Sequence, residues 1–260
     1  MAEKMRWNAD TYDRFKLERM QPSLDLAARA DALLPGAKKI LDVGCGSGMS
    51  TAAVAEHWPD ADILGLDLSE EMLEKARALL PDVRFARQDC SEPLDQYGQF
   101  DLIFSNAFLQ WLDDQADFAE NVSRIVAEGG LLAIQIPDFS SMPADRCIKD
   151  AAEKFDGLTE KIGKGRLWNI DAGGYYELFS RYFAHVTVWE TDYYHVMDSA
   201  EGILAFLSGT ALRQYLQFLS PEETARFNGL VLERLRAAYP VRENGKVLFP
   251  FRRIFLLAEK

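Results

Sequence analysis

Cysteine and histidine are scarce in this chain, three of each among 260 residues. Cys45, Cys90 and Cys147 lie far apart, with no C-x-x-C pair, which argues against a disulfide framework and a zinc site and fits a reducing cytoplasm. No uninterrupted apolar run approaches the roughly 20 residues needed to span a bilayer. The opening M-A-E-K-M-R-W-N also lacks the apolar centre of a secretory signal, so the expected setting is cytoplasmic, without a membrane. Positive charge is in deficit as well: 29 Lys and Arg face 41 Asp and Glu, a net charge of −12. A nucleic-acid partner needs a basic face to neutralise phosphates, so DNA and RNA are excluded as expected substrates. No internal repeat or low-complexity tract interrupts the chain, and nothing in it signals an oligomeric state.

What is present is a strand, turn and helix pattern. Lys39 to Gly48 reads K-I-L-D-V-G-C-G-S-G, an aliphatic run with Asp42 near its end, followed by Gly44, Gly46 and Gly48 at alternate positions. A helix-forming run, Ser50 to Trp58, follows at once. This is the first βαβ unit of a doubly wound α/β sheet, with a nucleotide-like ligand expected over the turn. A dinucleotide site is expected to read G-x-G-x-x-G. Here the third glycine comes one residue early and position 49 is Met, which argues against NAD.

Ala61 to Asp67 reads as a second strand ending in an acid, 25 residues beyond Asp42. A carboxylate at that point can accept both ribose hydroxyls. Ser69 caps a helix with acids in its first turn. Val83 to Gln88 is a third strand followed by Asp89 and Cys90, and Phe100 to Ala107 is a fourth. Phe108 to Leu112 opens a helical segment, and Val122 to Ala127 closes one before Gly129 and Gly130. Leu131 to Asp138 is a fifth strand. Every acid singled out lies at a strand's carboxyl end, where open α/β sheets bind ligands.

Beyond Pro137, Met142 to Phe155 and Tyr175 to Phe183 read as helices, Gly157 to Gly165 as a mobile loop, and Val186 to Met197 as a sixth strand. A mostly helical stretch that includes Glu222 to Tyr239 separates it from a last strand, Lys246 to Ala258. The expected organisation is a single domain over 1–260. It comprises an N-terminal helical arm (1–36), a cofactor-binding core (37–138) and a helical substrate lid (199–245) inserted before the last of seven strands.

The D-V-G-C-G-S-G segment resembles the first motif of the class I S-adenosylmethionine-dependent methyltransferases. That resemblance implies a mostly parallel seven-stranded sheet and S-adenosylmethionine as cofactor. The turn residues Gly44, Cys45, Gly46 and Gly48 would pack on its methionine moiety and Asp42 would orient its ammonium end. Asp67 with Leu68 would hold the ribose. Asp89 and the backbone of Cys90 would read the adenine, a surface turn acid being the alternative reading of Asp89, with Met72 near the ring or packing on the sheet. Asn106, at the end of the fourth strand, would face the methyl group.

Further segments are more particular. W-N-x-x-x-Y at Trp7 to Tyr12, Glu18-Arg19, N-A-F-L-Q-W-L at Asn106 to Leu112 and I-P-D at Ile136 to Asp138 are four. T-D-Y-Y-H-V-M at Thr191 to Met197, A-L-R-Q-Y-L at Ala211 to Leu216 and Y-P-V-R-E-N-G at Tyr239 to Gly245 are three more. Together they resemble the trans-aconitate methyltransferase branch of that family, over nearly the whole chain. The resemblance implies esterification of one carboxylate of trans-aconitate or a related small polycarboxylate. A carboxylate already carries its attacking lone pair at pH 7, so no general base is required; Gln110 and Trp111 are candidates for orientation only. The remaining carboxylates need cationic or hydrogen-bonding clamps. Arg19, Arg213 and Arg253 are the arginine candidates, with Tyr194 and His195 beside them. Each arginine has an ordinary ion pair as its alternative reading, and His195 a structural one; Arg252 should point to the other face of its strand from Arg253. Trp7, Tyr12 and Trp111 either close over a ligand or pack. Two other functions stay open: methylation of a different small acid or a phenol, and a noncatalytic nucleotide-binding module.

Overall fold

A computed structural model describes residues 16–162 and 170–260, with side chains from residue 20 onward. In chain order the elements are α1 (Lys16–Leu33), β1 (Lys39–Val43), α2 (Met49–His57), β2 (Asp62–Asp67), α3 (Glu70–Leu79), β3 (Arg84–Arg87), β4 (Phe100–Asn106), α4 (Gln115–Ile125) and β5 (Val126–Pro137). There follow α5 (Pro143–Ala152), α6 (Leu158–Ile162), α7 (Ala172–Phe179), β6 (His185–Met197), α8 (Ala200–Ser208), α9 (Arg213–Leu216), α10 (Pro221–Ala238) and β7 (Val247–Glu259). The seven strands form one sheet in the order β3-β2-β1-β4-β5-β7-β6. Strands β1 to β5 pair in parallel and β7 runs antiparallel to β5. No described helix is long and apolar enough to cross a membrane.

By internal contacts the described chain divides into two units. The first, called the sheet unit, comprises residues 20–138, 170–191 and 253–260. Its central strands are apolar on both faces because helices cover both sides of a parallel sheet. Leu41, Val43, Ile103, Leu132 and Ile134 pack with Phe118 and Val122 of α4 and with Tyr175 and Phe179 of α7 in one buried cluster. Side chains alternate along a strand, so Asp42, Phe104 and Ala133, which are register partners, share the opposite face. Asn106 and Gln135 are partners two residues further on, and Phe255 of β7 sits beside Gln135. Trp189 stacks on Phe255 with ring centroids 5.0 Å apart, and Arg29 of α1 lies 4.0 Å over the Trp189 ring. This second face therefore carries three polar side chains at its carboxyl edge.

The second unit holds residues 16–19, 139–162 and 192–252 of the described chain and is mostly helical. Ile148 and Ala151 of α5, Ile203 and Phe206 of α8, and Phe227, Val231 and Leu235 of α10 are buried together with Phe249 and Phe251 of β7. Tyr215 stacks on Phe227 (5.6 Å), and the backbone N–H of Ala144 donates to the Tyr239 hydroxyl at 3.0 Å. Ser220 and Glu223 form a capping box at the start of α10, and Pro221 occupies its first turn, where a missing N–H costs nothing.

Four expectations are corrected here. The loop expected from Gly157 to Gly165 contains α6, because Leu158 and Ile162 lie one helical turn apart and both bury their side chains in the helical unit's core; residues 163–165 lie outside the described residues. Strand β5 begins at Val126, before the glycine pair, with a register shift opposite Phe100 and Leu102 that absorbs the extra residues. Helix α4 accordingly ends at Ile125, two residues short of Ala127. Finally, Phe108 to Leu112 folds only as a 3-10 turn over Leu109–Trp111.

Candidate active site

The turn after β1 is tied to β2 by two backbone bonds, Gly44 and Cys45 N–H both donating to the Leu66 carbonyl at 2.9 Å. Gly44, Gly46 and Gly48 have φ of 72°, 53° and 84°, a left-handed backbone that side chains disfavour. Gly44 is needed for a second reason: a Cβ there would stand 2.3 Å from the Phe108 ring. Gly46 is the reverse case. A Cβ built on it meets no atom within 4 Å, so the space over this part of the turn is open to a ligand approaching the bare backbone.

Asp42 sits beneath this turn with no exposed surface. Its Oδ2 accepts from the Ser50 hydroxyl (2.8 Å) and the Thr51 hydroxyl (2.6 Å), both in the first turn of α2. Its Oδ1 is buried and has no hydrogen-bond partner among the described residues. Burial raises the carboxyl from 3.8 to about 6, opposed by the Thr51 and then the Ser50 bonds, with the nearby Asp67 charge adding to the rise. An ionised carboxylate with one oxygen occupied and one orphaned is a site for a cation. Ser50 and Thr51 were not singled out in the sequence, although a hydroxyl pair opening an otherwise alanine-rich helix one turn past the acid was a readable signal.

At the end of β2, Asp67 accepts from the backbone N–H of Gly46 and of Ser69, both at 2.9 Å, which couples the glycine turn to the start of α3. Ser69 caps α3, accepting from Met72 N–H; Met72 is half-buried and Leu68 is exposed. After β3, Asp89 is exposed and forms a turn with Ser91, whose hydroxyl and backbone N–H donate to it at 2.6 and 3.0 Å and hold its carboxyl below the ordinary range. Cys45 and Cys90 are buried, and desolvation pushes both thiols up, Cys90 to about 12, so neither is a thiolate nucleophile at neutral pH.

The end of β4 is unusual. Ala107 is the only described residue other than glycine with positive φ, at 55°. Such a conformation costs about 1–3 kcal/mol and collects at functional sites. Its N–H donates to the Gln135 carbonyl (2.8 Å) and its own carbonyl accepts from Gln110 Nε2 (2.6 Å). Asn106 Oδ1, Gln110 Oε1 and both amide atoms of Gln135 are buried without a partner among the described residues. Trp111, by contrast, is 59% exposed. Gln135 was overlooked in the sequence; an amide within the apolar run L-L-A-I-Q-I was its only sign.

Arg253 belongs to the sheet unit, is buried, and is the register partner of Pro137. Arg252, its neighbour on the strand, pairs with Asp192 through Nε at 2.9 Å and Nη2 at 3.2 Å, so the two arginines do part to opposite faces. In the helical unit, Tyr194 and Arg213 are exposed, while His195 is buried among the rings of Phe206, Phe249 and Phe251. Trp7, Tyr12 and the side chain of Arg19 lie outside the described residues.

The orphaned acid beneath the glycine turn fits the ammonium-bearing tail of S-adenosylmethionine, and Asp67 keeps lone pairs for ribose hydroxyls beyond its two backbone bonds. A sheet of this order, with an antiparallel seventh strand and an acid-flanked glycine turn on β1, marks the class I S-adenosylmethionine-dependent methyltransferases. A family profile described as a methyltransferase domain matches residues 40–130. The fold is shared with the YcgJ protein from Bacillus subtilis (TM-score 0.58, 17% identity, 92% of this chain and 98% of that one). It is shared too with the plantazolicin methyltransferase BpumL (TM-score 0.53, 15% identity, 97% and 88% covered). Much nearer in sequence are the trans-aconitate 2-methyltransferases of Methylobacterium radiotolerans (38% identical over 258 residues) and Variovorax paradoxus (37% over 257), each with 98% of both chains covered. That of Escherichia coli O8 is 35% identical over 254 residues, again with 98% of both chains covered. The chain belongs to the trans-aconitate 2-methyltransferase family.

Proposed function

We propose that this protein transfers the methyl group of S-adenosylmethionine to one carboxylate of trans-aconitate, giving a monomethyl ester and S-adenosylhomocysteine. The observation that carries this reading is identity of 33–38% to curated trans-aconitate 2-methyltransferases over 98% of the chain, the helical unit included. The sulfonium supplies an activated methyl group and a neutral thioether leaving group. The chain's residues therefore have orientation and desolvation to perform. Asp42 holds the ammonium end from below the glycine turn, and Ser50 and Thr51 keep its other oxygen occupied. Asp67 accepts the ribose hydroxyls, with Leu68 flanking them, and Asp89 with the Cys90 backbone receives the adenine near Met72. Asn106, Gln110 and Trp111 stand at the end of β4, where alignment of a carboxylate oxygen with the methyl carbon is required. Alignment and exclusion of water supply up to about 7–11 kcal/mol of such a barrier. No proton leaves the acceptor, so the absence of a thiolate at Cys45 or Cys90 is no obstacle.

The other carboxylates of the acceptor require local positive charge in a protein of net charge −12. Arg213 and Arg253 are the proposed cations, Arg19 a third, and Tyr194 a hydroxyl donor; the aromatic packing of His195 supports a structural role for that residue instead. Because Asp192 already neutralises Arg252, that residue is left out.

The test is a methyl-transfer screen over trans-aconitate, cis-aconitate, citrate, isocitrate and a set of phenols, paired with calorimetric titration of S-adenosylhomocysteine and NAD. A base-labile ester formed fastest on trans-aconitate is the expected result. Base-stable methylation would overturn the acceptor, and binding of NAD in place of S-adenosylhomocysteine would overturn the reaction class.

A further inference from the structure

Gln135 is 1% exposed, yet neither its Nε2 nor its Oε1 has a hydrogen-bond partner among the described residues. A buried amide without partners destabilises the folded chain relative to a paired one, and an apolar side chain of similar shape would avoid that cost. The sheet register makes this more than an isolated defect. Asn106 and Gln135 are paired residues on adjacent parallel strands, so their side chains rise from the same face about 4.8 Å apart. Gln110 is tied to the same strand ends through the backbone: its Nε2 donates to the Ala107 carbonyl, and the Ala107 N–H donates to the Gln135 carbonyl. Asn106 Oδ1 and Gln110 Oε1 are also buried and unpaired. Three amides with unmet hydrogen-bonding capacity thus lie around the end of β4, near a residue held in a strained backbone. Asp42 shares their sheet face and marks the cofactor side of it, whereas Gln135 lies two strands away on β5, next to the strand that carries Arg253.

We infer that Gln135 is a specificity-determining residue that donates to a carboxylate of the acceptor, with Asn106 and Gln110 completing the cradle. This rests on the carboxylate-methylating reading given above. An amide offers its N–H2 to an anion after rotation about its terminal torsion, and a carboxylate is the group in trans-aconitate able to accept several such donors at once. The arrangement also explains why a buried polar group persists at the carboxyl end of β5: ligand, not protein, completes its bonds.

Gln135→Leu tests this, since it keeps the volume and removes the amide. The ligand-free variant should melt at or above the wild-type temperature and bind S-adenosylhomocysteine with unchanged affinity. Its KM for trans-aconitate should rise roughly 10- to 100-fold, as for loss of a hydrogen bond to a charged group, with kcat changed less. Gln135→Glu, which sets a like charge against the acceptor, should raise KM at least as far, and Gln135→Asn should recover part of the loss. An unchanged KM would overturn the inference, as would a clear loss of stability in the leucine variant, which would mean that protein or a structural water satisfies the amide. A parallel loss of S-adenosylhomocysteine affinity would assign Gln135 to the cofactor instead. Failure of the underlying reading looks different: the wild-type enzyme itself would esterify none of the acids in the screen.

Discussion

Replacing Asp42 by asparagine should make the ligand-free protein more stable and the cofactor complex weaker. The carboxyl is fully buried and raised from 3.8 to about 6, chiefly by desolvation. That displacement corresponds to about 3 kcal/mol. Its sign follows from the folded value lying above the unfolded one. Asp42 favours the native state most below about pH 4, and this contribution is lost as pH rises through 6, so at pH 7 the native state bears the cost of a buried charge. The substituted side chain would keep an oxygen for the Ser50 and Thr51 hydroxyls but would leave an amide N–H2 where Oδ1 now stands unpaired, returning about 1–3 kcal/mol of the gain. A net stabilisation of up to about 2 kcal/mol remains, or a melting temperature higher by up to roughly 6 °C. The cofactor, deprived of a charge-assisted bond to its ammonium, should bind about 10- to 100-fold more weakly. Thermal unfolding without ligand and titration calorimetry with S-adenosylhomocysteine from pH 5 to 8 read both arms. Wild-type affinity should climb with pH up to about 6 and then level, whereas the variant's should stay flat. If Asp42→Asn melts earlier and binds S-adenosylhomocysteine with the wild-type pH profile, the reasoning about this acid is wrong.

Two further outcomes are expected. Asp67→Ala removes the acceptor for Gly46 and Ser69 N–H, so S-adenosylhomocysteine affinity should fall at least about tenfold while the acceptor KM at saturating cofactor holds; equal losses in both would remove the ribose role. Arg213→Ala alters an exposed guanidinium and should change stability by less than about 0.5 kcal/mol while raising the acceptor KM strongly. Arg252→Ala, which breaks a partly exposed pair with Asp192 worth under about 1 kcal/mol, is its control and should leave KM alone. Indistinguishable KM values in the two variants would exclude Arg213 from the acceptor.

The local grammar of this chain was sufficient through its fourth strand. Glycines at 44, 46 and 48, an acid at 42 and another at 67 are consequences of strand and turn periodicity within a few residues, and the structure puts all of them on one carboxyl edge. The family likewise was legible, because its segments are short and contiguous. What periodicity could not supply was partnership across the sheet. That Ser50 and Thr51 occupy one oxygen of Asp42 and leave the other orphaned depends on how α2 docks on β1. That Gln135 rises beside Asn106 depends on a register between strands almost thirty residues apart, which a shift of one position would have turned to the opposite face. The same holds for the Gly157 segment, whose glycine reads as a breaker until Leu158 and Ile162 find a core to enter. Short-range preference sets what each segment is; only tertiary packing decides which polar groups are left waiting for a ligand, because burial and the missing partner both arise when distant segments close around them.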